Sequence, residues 1–370
     1  MDVVRKRIVA GSLVPLLLAV AFAGLRAEGA QSTTSACSSV SGVDRPAAVA
    51  GRTVRVLYAV AADAADDSAG RVGLIGADVA AISSWWRDQD PTREPRFDLV
   101  ETGCGQGLDI GLLRLRDTAA ALSTLEGRYG RIVSAVLSSS DGSPFAKYLV
   151  YYAGPVSADV RMCGEGAGEY DGRGVAVVYL AACPAVPSEV IAAHELLHAL
   201  GGIPRTGAPN ACPASPAHVC DSSRDILYPF APRMPLRLLS LDAGRDDYYS
   251  TGGAWRDIRD SRWLTHLDDQ VPLSVVTRGD GAVVSNVPGV HCSGACRSEW
   301  DGGTFISLSA LPGPGSRFVG WSGACAGAGR CDLELHGSPV ARATFGPLSA
   351  TSTKHGVDTA STSRANHGGG

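Results

Sequence analysis

The stretch Ser188-Glu189-Val190-Ile191-Ala192-Ala193-His194-Glu195-Leu196-Leu197-His198-Ala199-Leu200-Gly201-Gly202 decides how this chain is read. Apolar residues recur at helical spacing, Ser188 suits an N-cap, and Gly201-Gly202 is a stop signal, so the spacing predicts a helix over 188–200. On that helix His194 and His198 lie four residues apart, on one face, about 5–6 Å from Cβ to Cβ. Two imidazoles so placed can hold one Zn²⁺ at about 2.0–2.1 Å. Glu195 beside them is placed to take a proton from a water whose pKa the metal lowers to about 7. The alternative is an apolar core helix with two satisfied histidines. With 8 His in 370 residues, HExxH arises by chance roughly 0.005 times, and such polar groups are costly to bury without a task.

A catalytic zinc takes three protein ligands and leaves a position open. The extended motif, His194 to Pro204, resembles the HExxHxxGxxH pattern of metzincin zinc peptidases, with Gly201 at the helix break. The resemblance implies an α+β zincin-like catalytic domain, a mixed sheet plus an active-site helix. Pro204 stands where the third histidine is expected, and proline cannot ligate. The next glutamate after Glu195 is Glu299, which disfavours the gluzincin arrangement. The segment His218-Val219-Cys220-Asp221-Ser222-Ser223-Arg224-Asp225-Ile226-Leu227-Tyr228 is similar to the "HVxDSxxDLMY" segment of exported bacterial zincin-like proteins, with Leu227 in place of the Met-turn methionine. The resemblance leaves three candidates for the third ligand. His218 ranks first because imidazole is the commonest partner in such sites; Asp221 is second and Asp225 third. Tyr228 is a candidate for an oxyanion hydrogen bond, with packing as its plainer role.

The rest of the chain sets the compartment. Residues 1–23 carry Arg5, Lys6 and Arg7, then an apolar run, then Ala21-Phe22-Ala23, which reads as a cleaved secretory signal. An uncleaved N-terminal membrane anchor is the alternative; the run is short for a bilayer span of about 20 residues and contains Pro15. Ten cysteines fit an oxidising compartment, and no CxxC pair suggests a cysteine zinc site. Connectivity is open. The shortest loops favour Cys212–Cys220, Cys292–Cys296 and Cys325–Cys331. Cys163–Cys183 and Cys37–Cys104 follow by elimination. A net charge of −4 from 33 basic and 37 acidic residues gives no electrostatic reason to expect nucleic acid as a partner.

Residues 24–50 read as a flexible leader and 51–268 as the zincin-like metallopeptidase domain. Within the latter, alternating or apolar runs predict strands at Val54–Val60, Phe97–Val100, Leu108–Leu115, Tyr148–Tyr152 and Val175–Leu180. Helices are predicted at Ile75–Trp86 and Ala119–Leu137. By analogy with the zincins, Val175–Leu180 is the edge strand that pairs with substrate backbone. Residues 271–347 lack helix signals and predict a small all-β module. With Cys292-Ser293-Gly294-Ala295-Cys296 and Gly320-Trp321-Ser322-Gly323-Ala324-Cys325, this module is similar to the divergent internalin-type B repeat. That implies attachment to a cell surface or matrix, with no chemistry of its own and Trp321 in its core. Residues 348–370 read as a disordered tail.

The expected function is that of a secreted zinc endopeptidase acting on a protein or peptide substrate. Two rivals stand beside it: a zinc hydrolase of a non-protein amide, and a non-catalytic adhesin on a degenerate zincin scaffold.

Overall fold

The computed structural model describes residues 37–348, apart from 44, 46, 125, 140–145, 158–161, 204–207 and 253–256. The expected signal segment or anchor, Pro204 and nearly all of the tail lie outside the described residues. Among the described residues no helix is long and apolar enough to cross a membrane.

The elements that build the site are, in chain order, β1 (Ser39–Ser41), β2 (Val54–Val60), α1 (Val72–Gln89), β3 (Arg93–Pro95), β4 (Leu99–Thr102), β5 (Gly105–Arg114), α2 (Ala119–Leu122), α3 (Arg128–Ser139), β6 (Lys147–Tyr152), β7 (Gly164–Gly168), β8 (Gly174–Tyr179), α4 (Ser188–Ala199), β9 (Ala211–Cys212), β10 (Ser215–Val219) and β11 (Leu264–His266). One mixed sheet runs β1-β5-β2-β6-β8-β7, with β4 on β5. Its strands β1, β5, β2, β6 and β8 are parallel, whereas β7 is antiparallel to β8. β6 and β8 are buried on both faces, which is why Tyr148–Tyr152 and Val175–Tyr179 are unbroken apolar runs rather than alternating ones. Alternation sends Leu149, Tyr151, Ala176 and Val178 to a core shared with α1 and α4. Tyr148, Val150, Val175 and Val177 go to a second core with α2 and α3.

Four expectations need correction. The helix expected over 119–137 is two, α2 and α3, separated by Gly127 at φ +72°. Val175–Leu180 is not an edge: β7, which precedes β8 in the chain, pairs antiparallel along its outer side and takes the edge position. Ser188 does not cap α4. The N-cap is Pro187, and the Ser188 hydroxyl instead donates to Asp78 Oδ1 at 3.0 Å. Within the expected leader, Ser39–Ser41 pairs with β5, and Cys37 is bonded to Cys104. The other disulfides are Cys163–Cys183, Cys212–Cys220, Cys292–Cys296 and Cys325–Cys331, as loop length and elimination favour.

The C-terminal part is all β: β12 (Gln270–Arg278), β13 (Gly281–Ser285), β14 (His291–Cys292), β15 (Ala295–Asp301), β16 (Phe305–Pro312), β17 (Ser316–Gly323), β18 (Cys331–Glu334) and β19 (Val340–Pro347). They form two four-stranded sheets, β15-β12-β19-β17 and β14-β13-β16-β18. Leu273, Val275, Trp300, Trp321 and Phe345 are buried in their common core. The junction with the first part combines apolar packing of Ala50 on the β-module core with a set of polar contacts. Arg96 donates to the carbonyls of Arg262 and Leu264, both at 2.9 Å, and pairs with the Asp301 carboxylate. Asp301 also accepts the His266 amide at 3.0 Å.

Candidate metal centre

α4 is buried along nearly its whole length, Val190 to Ala199. It can lie close to the sheet edge because β7 beneath it lacks side chains on that face. Gly164, Gly166 and Gly168 alternate along β7, so all three face α4. A Cβ on Gly164 would stand 2.6 Å from Glu195 Cγ, and one on Gly166 2.5 Å from Glu195 O and 2.9 Å from His198 Cβ. Beyond the C-cap Leu200 the chain turns away at Gly201, whose φ of +92° suits glycine. There the Gly201 amide bonds His198 O at 3.0 Å and the Gly202 amide bonds Leu197 O at 2.9 Å.

Three imidazoles converge above this surface. The His194 and His198 ring centroids are 4.9 Å apart, and their Nε2 atoms 3.2 Å. His218, on β10, lies 5.2 Å from the His194 ring and 4.9 Å from that of His198. One nitrogen from each ring falls within 4.8 Å of the other two. His194 Nδ1 is 2.6 Å from Ile226 O. A carbonyl only accepts, so that nitrogen carries the proton and Nε2 presents a lone pair inward. His218 Nδ1 is 2.7 Å from Ser215 Oγ. β10 pairs with β9, and Cys212–Cys220 closes this hairpin around His218. Burial lowers all three pKa values: His194 to about 4, His198 well down, and His218 below its ordinary range. The rings are therefore neutral at neutral pH, the state in which imidazole binds metal.

The Asp225–Tyr228 turn joins the cluster through the Ile226 carbonyl. The Asp225 carboxylate accepts the amides of Leu227 and Ala243, both at 2.7 Å, and the Tyr248 hydroxyl at 2.8 Å. It is spent on shaping the turn, and burial pushes its pKa up to about 6. Leu227 is fully buried, and its amide and carbonyl are both bonded, the latter to the Val219 amide at 3.1 Å. The turn thereby connects the His218 strand to the Ile226 carbonyl under His194.

Glu195 is 7% exposed and sits between α4 and Gly164 of β7. Burial, and then the Glu165 carboxylate, hold its pKa well above the ordinary carboxylate range. A divalent cation beside it would draw that pKa back down.

His194, Glu195, His198 and His218 thus lie together. Asp221 does not join them: it is exposed, and its carboxylate groups with those of Asp246 and Asp247. Asp225 belongs to the turn. Tyr228 is half-buried with its ring 6.0 Å from that of Phe230. Sequence reasoning missed β7, although glycine at every second position from 164 to 168 is a signal for a strand under close cover. It also missed the Ile226 carbonyl, a backbone group that no side-chain pattern announces.

No family model matches this chain, and no curated protein matches it. Among solved structures it is similar to the crystal structure of wild-type OgpA from Akkermansia muciniphila, at 12% identity and a TM-score of 0.29, over 73% of this chain and 93% of that one. A catalytically inactive OgpA in complex with an O-glycopeptide substrate (glycodrosocin) gives 11% identity and a TM-score of 0.28, over 73% and 92%. Likeness at this level establishes neither a shared fold nor a shared activity.

Proposed function

We propose that this protein is a secreted zinc-dependent endopeptidase, with His194, His198 and His218 as the metal ligands and Glu195 as the general base. The observation that carries the proposal is the convergence of three neutral imidazoles on one point, with a buried carboxylate alongside. The donor set fits zinc: three nitrogen ligands, two of them oriented by outer bonds to Ile226 O and Ser215 Oγ. Bound Zn²⁺ would supply a Lewis acid and lower the pKa of water to about 7.

The chain's own groups do the rest. Glu195 takes a proton from the attacking water and passes it to the leaving amine. β7 pairs on one side with β8, and among the described residues no strand covers its other side. An extended peptide laid along that side would be held by backbone hydrogen bonds, directly above Glu195 and His198. Five disulfides favour an oxidising, extracellular setting. We assign the β module an attachment role rather than a chemical one.

The test is metal analysis combined with casein or gelatin digestion, with and without chelator. About one zinc per chain and chelator-sensitive digestion are expected, as for a three-ligand catalytic site. Folded protein that takes up no zinc would overturn the reading. Zinc without hydrolysis would point to a non-catalytic scaffold.

A further inference from the structure

Lys147 is the first residue of β6 and is fully buried. A lysine so placed needs partners, and it has two. Its Nζ donates to Ala199 O at 2.7 Å, and it also bonds Glu169 O. Ala199 is the last residue of α4, one past His198. Glu169 follows directly on β7. The ammonium also lies 4.6 Å from the centre of the Trp263 ring, which shields it from water.

Sheet register explains how one side chain spans both elements. Lys147 is opposite Gly174, and Gly174 is opposite Gly168, so the three form one row across β6, β8 and β7. Neither glycine has room for a Cβ. On Gly174 it would meet Ala199 O and, at 2.9 Å, Lys147 Cδ; on Gly168 it would meet Ala199 O. The lysine stem crosses this bare strip, and its head reaches the end of α4. A cation at a helix C-terminus is favoured by the helix dipole.

We propose that Lys147 is a positioning residue of the metal centre: its ammonium ties the last carbonyl of α4 to the end of the edge strand and so sets where His198 stands relative to β7 and His218. The proposal rests on the zinc-site reading above. Burial, with Arg52 adding to it, lowers the lysine pKa to about 7 against the raising pull of the Glu169 and Asp171 carboxylates; charged or neutral, the amine keeps N–H donors for both carbonyls. Nothing in the local sequence marks this lysine as different from an ordinary solvated charge at a strand start.

The experiment compares full-length wild type with Lys147→Met, which keeps the stem and removes the donors and the charge. Zinc affinity is measured by competition with a chromophoric chelator, and Co²⁺ substitution reports ligand geometry through its visible bands. A stability control is Arg96→Met, which breaks the junction with the β module and touches neither α4 nor β7. Lys147→Met is expected to bind zinc at least tenfold more weakly, with altered Co²⁺ bands. Arg96→Met is expected to lose stability and leave both readouts unchanged. If Lys147→Met keeps wild-type affinity and wild-type bands, the proposal is overturned. It is overturned equally if Arg96→Met weakens zinc as much as Lys147→Met does. If wild type itself takes up no zinc, the zinc-site reading fails first, so the two failures are distinct. Should Lys147→Met not fold, Lys147→Gln serves, because its neutral, shorter amide reaches at most one of the two carbonyls; the expected and overturning outcomes are the same.

Discussion

His194 Nδ1 rests 2.6 Å from the carbonyl oxygen of Ile226, so the helix that carries two imidazoles is bonded to the turn under the third. One bond sets the tautomer of His194 and links α4 to the Asp225–Tyr228 turn. That turn is itself held by Asp225, whose carboxylate is fully engaged. The cluster is thereby organised by the fold itself, which would lower the ordering cost of binding the proposed metal.

Glu195→Gln keeps shape and removes the proposed base. Zinc content should not change, while peptide hydrolysis should fall by about 10²–10⁴-fold, the usual worth of a general base. Parallel metal analysis and turnover measurements on the two proteins check this; unchanged turnover would remove Glu195 from the mechanism.

His218→Ala should weaken zinc by more than the roughly 10–100-fold that an outer-sphere partner commands. Asp221→Ala should leave zinc retention unaltered, because that carboxylate groups with Asp246 and Asp247. The reverse pattern would reassign the third ligand.

Cys212→Ala with Cys220→Ala opens the hairpin that carries His218, whose closing disulfide spans 8 positions. Stability should drop by about 2–3 kcal/mol, as for a short native loop. Zinc affinity should drop with it, because His218 then pays its own ordering entropy. Calorimetry and chelator competition would read the two effects separately.

Gly166→Ala places a methyl 2.5 Å from Glu195 O and 2.9 Å from His198 Cβ. Neither neighbour is a flexible side-chain end, so α4 must lift from the sheet, at about 1–3 kcal/mol. Thermal unfolding should show that cost, and zinc affinity should fall although no ligand has changed.

Asp78 gives a pH prediction. Burial, with Glu189 adding to it, pushes its pKa up to about 7 from 3.8. A carboxyl raised in the folded state favours folding while protonated, so its contribution is full below about pH 4 and fades as pH rises toward 7. Asp78→Asn keeps an acceptor for Ser188 and never ionises. Its stability relative to wild type should therefore increase between pH 5 and pH 8, by about 1–3 kcal/mol. Melting curves across that range test the sign; a flat difference would contradict it.

What could be read in the sequence was local. The α4 helix, its histidine spacing and its glycine stop lie within fifteen residues, and β6 and β8 announce themselves as apolar runs. β7 does not, because Gly-Glu-Gly-Ala-Gly has almost no strand propensity and becomes a strand only by pairing with β8. For the same reason Val175–Leu180 was mistaken for the edge. Lys147 and Ile226 act through backbone carbonyls brought together by the fold, and Asp221 and His218 are separated only by how the 215–228 segment folds back. His218 could be ranked first on chemistry, but its meeting with His194 and His198 is a tertiary fact.

The junction at Arg96 and Asp301 bears on how the molecule reaches its surroundings. Only Leu267, Asp268 and Asp269 separate β11 from β12, and Asp268 is paired with Arg93 at 2.6 Å while Asp301 is paired with Arg96. The β module is thus a bracket rather than a tether. If the module attaches to a surface as proposed, the histidine cluster would stand at a fixed distance from that surface, because these ion pairs and the short connection leave no free linker between the two parts.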